Sequence, residues 1–294
     1  MSYRIKIGES LAAAFGRIAA EEIDLAAAEL RRHNRGQAVH NARKALKRLR
    51  ALLRSLRVAF PKKLFYAENR RIAQAGREIS PLRDVHVQLR TLGKLKAAAG
   101  PAGDQVRRQL LRQQSSFTRR IPALRKTVRA MLDDSRQSLA AWPLREATGK
   151  DLAAGLKRIY KQGRAALKTA RLSPTPGHLH EWRKKAKSLG YGLELIKSLG
   201  PAKLSRMIRC ANALTESLGD DHDLFMVLLA LRLEHRAKPA SDFRSLARRI
   251  SRKRAKLQKR AFKLGKRLYG EKPGEFGGRL DRYLRQASKN NRPT

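Results

Sequence analysis

Two stretches of this chain place a histidine, an arginine and two lysines at the same spacing. His40-x-x-Arg43-Lys44-x-x-Lys47-x-Leu49 returns 140 residues later as His180-x-x-Arg183-Lys184-x-x-Lys187-x-Leu189. A second matched pair follows, Ile79-Ser80-x-x-x-Asp84 and Leu218-Gly219-x-x-x-Asp223. The distance from histidine to aspartate is 84 − 40 = 44 in the first copy and 223 − 180 = 43 in the second. One long unit is therefore used twice, the mark of duplicated supersecondary structure that packs together. Each copy sets a histidine and three cations on a single helical stretch, and the chemistry that such an array suits is capture of a polyanion.

The elements that must position these residues are helices. Ala, Leu, Arg and Lys dominate, β-branched residues are scarce, and apolar residues recur at three and four rather than two. Breakers at Pro61, Ser80-Pro81, Gly100-Pro101, Trp142-Pro143, 173–177, Gly200-Pro201, Lys238-Pro239 and 270–274 cut the chain into about ten pieces. Pro122 is expected to kink or interrupt the long helix between Ala102 and Ala141. The Pro/Gly-rich 173–177 stretch directly precedes the second motif helix and sets the division. An N-terminal half covers 1–145, a C-terminal half 146–288, and a polar tail 289–294 is expected to be disordered. The expected fold is all-α, a compact bundle of two helical halves packed face to face, with the groove between them as the natural site.

On the first motif helix Val39, Ala42, Leu46, Leu49, Leu53, Leu56 and Phe60 form an apolar stripe that must be the core seam. His40, Arg43, Lys47, Arg50, Arg54 and Arg57 each follow a seam position or lie in the same row, about 100° round the helix and next to the core. The row is a rail about 25 Å long at 1.5 Å per residue. Like charges at i,i+3 and i,i+4 cost a few tenths of a kcal/mol per pair, and a bound anion would compensate them. In the second copy the seam is Leu179, Trp182, Ala186, Leu189, Leu193 and Ile196. The row beside it reads His180, Arg183, Lys187, Gly190, Glu194 and Lys197, with weaker charge. Two further basic rows, one within 157–171 and one within 249–266, read equally well as solvated faces.

Composition points the same way. The chain has 68 Lys+Arg against 24 Asp+Glu, a formal net charge of +44 over 294 residues. Unpaired like charge opposes the compact state unless a partner neutralises it. Nucleic acid, an anionic membrane face and an inorganic polyanion are the candidate partners. Cys210 is the single cysteine, so no intramolecular disulfide or cysteine metal site forms. No apolar run approaches the roughly 20 residues of a membrane span, and Met1 to Glu9 lacks the apolar centre of a signal peptide. A cytoplasmic location is expected. No cofactor and no metal site is expected, since position 38 is alanine and His178-x-His180 has no counterpart in the first copy. His40 and His180, set among cations, should have depressed pKa values that a bound phosphate would raise. Asp84 and Asp223 are expected to be structural, as helix N-caps or as carboxylates that hold a motif arginine.

The doubled His-x-x-Arg-Lys-x-x-Lys-x-Leu, the Leu-Gly-x-x-x-Asp after it and the run Lys187-x-Leu-x-Tyr191-x-Leu-Glu194 resemble the CHAD domain, the conserved histidine α-helical domain. The resemblance covers the chain from about the first helix to the helix ending near Leu268. It implies an all-α bundle of two pseudo-symmetric halves around a basic central channel that binds inorganic polyphosphate without catalysis, and association with polyphosphate granules. It also implies that His40, Arg43, Lys44, Lys47, Arg50 and Arg54 line the channel, with His180, Arg183, Lys184 and Lys187 from the second copy. Arg70 and Arg209 occupy equivalent positions (209 − 70 = 139), and Arg77 lies two turns beyond Arg70; these three are added to the set. The chain departs from the family pattern at Ile79-Ser80, where Leu-Gly is preferred, and at Gly190 and Glu194.

Two rival readings come from other classes. A sequence-nonspecific nucleic-acid-binding protein explains the charge through counterion release, and weak binding of that kind is compatible with the chain. It does not explain why cations sit beside the core seam in two equivalent helices. A metal-dependent phosphohydrolase is suggested by the order His180, His222-Asp223 and Asp242, but the repeat pairs His222 with Arg83, which cannot ligate a metal.

Overall fold

The computed structural model describes residues 3–32, 35–95 and 100–289. Among them the regular structure is helical throughout, in ten α-helices: α1 (Leu11–Arg31), α2 (Arg35–Ser55), α3 (Lys62–Glu78), α4 (Ser80–Gly93), α5 (Pro101–Ser138), α6 (Gly149–Leu172), α7 (Pro176–Leu195), α8 (Ala202–Ala237), α9 (Phe243–Leu268) and α10 (Pro273–Lys289). Short-range signals set several starts. Ser10 accepts from the Ala13 N–H ahead of α1, Thr148 and Asp151 close a reciprocal capping box on α6, and Thr175 accepts from the His178 N–H with Pro176 opening α7.

The motif helices α2 and α7 sit at the centre. α2 packs on α1, α3, α6 and α7, and α7 packs on α6 and α8 as well. The two apolar stripes are buried throughout, from Val39 to Phe60 and from Leu179 to Ile196. They join one core cluster that also takes in α1, α3, α5, α6, α8, α9 and α10. Burying each Leu, Ile or Phe contributes about 1.5–3 kcal/mol relative to exposure. Contact between α2 and α6 depends on Gly155, where a Cβ would lie 1.9 Å from the Ser55 carbonyl oxygen. A satellite cluster of Val85, Leu92, Val106, Leu110, Leu224, Leu228, Leu246 and Ile250 ties α4, α5, α8 and α9 together.

Three expectations about the helices need correction. Pro122 does not interrupt α5, which runs across it from Pro101 to Ser138. The proline forfeits one backbone hydrogen bond, but buried Val106, Leu110, Ile121, Val128 and Leu132 anchor the helix on both sides of it. Asp84 and Asp223 do not begin helices: Asp84 lies past the first turn of α4, and Asp223 sits deep inside α8. The first copy does break at Ile79, because Pro81 brings no N–H to continue α3. The second copy has Asp220 where the first has Pro81, so α8 continues through Gly219. Lys289 closes α10 rather than starting a tail, and 290–294 lie outside the described residues.

Candidate cationic site

The site is built where α2 and α7 meet, with α4 and α8 alongside. Arg43 reaches from α2 to α3 and α4: its Nη1 donates to the Gly76 carbonyl at 3.4 Å and to the Ser80 hydroxyl. Arg183 does the equivalent from α7, its Nε donating to the Thr215 carbonyl at 3.3 Å. The two acceptors stand 139 positions apart, and each lies four residues before the motif's second position, Ser80 or Gly219. Gly219 makes room for this: a Cβ there would lie 2.9 Å from Arg183 Nη2. The glycine of Leu218-Gly219 thus acts as a bed for a guanidinium, not as a break.

Between these arginines lie Lys47 and Lys187. Burial, then Arg43, Lys187, Arg183 and Arg83, lower the Lys47 pKa to about 6. Burial, then Arg183, Arg83, Lys44 and Arg43, lower that of Lys187 to about 8. Arg43 and Arg183 are held below their ordinary values chiefly by burial, against the pull of Asp84 and Asp223 respectively. Among the described residues none of these four cations makes an ion pair. By contrast Arg48, on the next face of α2, has Glu22 at 3.3 Å and the Tyr3 ring at 4.9 Å. The nearest relief for Lys187 is the Tyr191 ring, 5.6 Å away.

The histidines border this cluster. Partial burial, then Arg83 and Lys47, lower the His40 pKa. Burial, then His222 and Lys184, lower that of His180 to about 4. The direction agrees with the sequence reading, but burial outweighs the cations as its cause. The His180 ring lies 4.5 Å from that of His222, and its Nδ1 is buried without a partner. No group of three His, Cys, Asp or Glu side chains at metal-binding distance occurs among the described residues. Asp242 is elsewhere, accepting from the Ala102 N–H at the start of α5, so the order His180, His222, Asp223, Asp242 does not converge on one point.

The remaining expected residues divide. Arg50 bonds Asn69 Oδ1 at 3.2 Å, and burial, then Arg54 and Arg77, lower its pKa to about 10. Arg54 is also held low, by burial, with Glu181 opposing. Arg50 and Arg54 form a second group farther along α2, with Arg77 of α3 acting on Arg50. Arg77 is exposed and donates to Gln74 at 2.9 Å. Lys44 and Lys184 are exposed, and Lys184 pairs with Glu181. Arg70 and Arg209 are exposed, and no interaction ties either to the cluster among the described residues. Gly190 is buried against Ala211 and Asn212 of α8, so the row on α7 leaves the cluster there.

Sequence reasoning missed Arg83 and the placement of His222 beside the cationic cluster. Arg83 pairs with Asp84 at 3.5 Å and repels Lys47, Lys187, His40 and His222. The signal was present, since the repeat aligns Arg83 with His222, and both face the same cations. Asp223 is buried, which raises its pKa, while Arg83 and Arg183 pull it down. It lies within electrostatic reach of both arginines and caps no helix. Two cavities, one including Glu29, Val39 and Ile121 and one including Ile7, Pro201 and Tyr283, are lined by none of the cluster.

The CHAD domain family model matches residues 10–232. The crystal structure of the CHAD domain from the plant Ricinus communis is similar with a TM-score of 0.56 at 19% identity, over 95% of this chain and 93% of that one. PptA from Streptomyces chartreusis is similar with a TM-score of 0.53 at 14% identity, over 85% of this chain and 100% of that one. At these identities the likeness is one of fold. Comparison with curated proteins finds no match. No described helix is long and apolar enough to cross a membrane.

Proposed function

From the premise that the chain belongs to the CHAD family, we propose that it binds inorganic polyphosphate, without turning it over, in a basic channel formed where α2 and α7 meet. One observation carries the reading: Lys47 and Lys187 are recessed among Arg43, Arg83 and Arg183, and among the described residues only Arg83 of these five makes an ion pair, with Asp84. Such a cluster is unfavourable empty and favourable when a chain of phosphates supplies its counter-charge. Arg offers forked donors fixed in direction, and Lys a point charge that tolerates a sliding register. A linear chain with about one charge per phosphate and no bases asks for little else. His40, His180, Lys44, Lys184, Arg50 and Arg54 extend the channel, Arg77 flanks it, and Arg70 and Arg209 are assigned to its mouths. Asp84 and Asp223 position its arginines.

The halves 1–145 and 146–288 are read as pseudo-symmetric units. The reciprocal relation supports this: Arg183 acts on Lys47 as Arg43 acts on Lys187. Association with polyphosphate granules in the cytoplasm follows as part of the same proposal.

Binding at about 0.15 M salt tests it. Polyphosphate should bind more tightly than ATP, pyrophosphate or duplex DNA. The triple change Arg43→Glu, Lys47→Glu and Arg50→Glu should abolish polyphosphate binding while the circular dichroism stays helical. Undiminished polyphosphate affinity in that variant would sink the channel.

A further inference from the structure

α9 carries twelve Lys and Arg and no Asp or Glu over its 26 residues. Its inner side, with Leu246, Ile250, Ala261 and Leu268, is buried and packs chiefly on α8. Arg254 turns inward to Asp221, 3.0 Å away. The other eleven cations are exposed, and none makes an ion pair among the described residues. Arg249, Arg252, Lys256, Lys259, Lys263 and Lys266 run along this side as neighbours at i,i+3 and i,i+4, each pair costing a few tenths of a kcal/mol. Arg244, at the start of the helix, also opposes the macrodipole. Among the described residues no acid pairs with these exposed cations to offset the cost.

The face is separate from the α2–α7 cluster: α9 meets α7 through its buried side, where Phe262 and Gly265 lie against Trp182, and its exposed cations lie on the other side. Asp221 looks toward α9, while His222 and Asp223 look toward the cluster. It differs in shape as well. The cluster's cations converge, whereas those of α9 spread over the convex outside of a helix about 39 Å long. Eleven cations over that length give one per about 3.5 Å, close to the 3.4 Å axial spacing of phosphates along one strand of B-DNA. A stiff, extended polyanion matches such a surface, since it meets many charges without first losing chain entropy.

We propose that the outer face of α9 is a second binding surface, for the phosphate backbone of duplex nucleic acid. Lys and Arg on a convex face meet phosphates and read no bases, so binding is independent of sequence. This inference does not rest on the ligand of the cluster.

The test uses the full-length protein, a fluorescent DNA duplex of about 20 base pairs, and anisotropy across about 50–200 mM salt. With about six phosphates met, log affinity should fall with log salt at a slope of about −5. Changing Arg249, Arg252, Lys256, Lys259 and Lys263 to Glu should weaken duplex binding at least about 100-fold and flatten the slope by about 4. Affinity for a short polyphosphate should change little, because none of these five cations acts on Lys47 or Lys187. The cluster variant Arg43→Gln with Lys47→Met should do the reverse, and saturating short polyphosphate should leave duplex binding to the native protein. If the glutamate variant misfolds by circular dichroism, glutamine at the same five positions replaces it. The proposal is overturned if these variants bind duplex like the native protein, if short polyphosphate displaces the duplex, or if the variants lose binding to anionic lipid vesicles and keep the duplex.

Discussion

Burial and the neighbouring guanidinium groups lower the Lys47 pKa from 10.5 to about 6, so the free protein holds this amine mostly neutral at pH 7. The folded pKa lies below the unfolded one. Between about pH 6 and 10.5 the unfolded chain therefore binds a proton that the folded chain lacks, and stability rises with pH across that window. Lys47→Met removes this contribution. Urea titrations should find the variant's stability advantage over the native protein shrinking as pH rises from about 6 to about 9. A difference constant with pH would mean that Lys47 stays charged. A phosphate chain reverses the balance by favouring the ammonium form. Polyphosphate affinity should accordingly strengthen as pH falls from about 8, the Lys187 value, to about 6, with proton uptake measurable by calorimetry in buffers of different ionisation enthalpy. His180, held near 4, is a lesser source of those protons. Uptake should survive His40→Gln with His180→Gln and diminish in Lys47→Met; the opposite pattern would return the role to the histidines.

At the scale of helices, two glycines inside helices should behave in opposite ways. A Cβ on Gly219 meets the far end of the Arg183 side chain, which can swing aside. Gly219→Ala should raise stability by up to about 1 kcal/mol through helix propensity and weaken polyphosphate binding by displacing the guanidinium. A Cβ on Gly155 meets the Ser55 backbone instead, and nothing there can move without parting α6 from α2. Gly155→Ala should cost about 1–3 kcal/mol or more, as overpacking does. Thermal melts and binding isotherms of the two variants check both. A Gly219→Ala protein that binds as the native one does would mean that the glycine is not needed to seat Arg183.

For the whole molecule, a net charge of +44 makes stability depend on what neutralises it. Polyphosphate at about 100 times its Kd should stabilise the fold by about 2.7 kcal/mol through mass action, read as a rise in Tm. Raising salt without polyphosphate should also raise Tm, because screening relieves self-repulsion, and should shrink the increment from the ligand. A ligand increment that grew with salt would exclude an electrostatic site.

The local code determined much of this protein. The 3.6-residue period is written in neighbouring positions, so the all-helical architecture, both buried seams and the row beside them were legible in Val39–Phe60 and Leu179–Ile196. The doubled motif was legible for the same reason, and so was the family. Tertiary structure decided which members of a row converge. Arg43 and Lys47 meet Arg83, Arg183 and Lys187 because α2, α4, α7 and α8 cross at one place, and crossing angles are set by packing among residues far apart in the chain. The same packing left Arg70 and Arg209 on the surface, although the repeat ranks them as equals of each other. It carried α8 straight through Asp223 and brought in Arg83, a place marked in the sequence only by the repeat's pairing of Arg83 with His222. Spacing along one helix can align cations, but only the approach of a second helix can aim them at a common point.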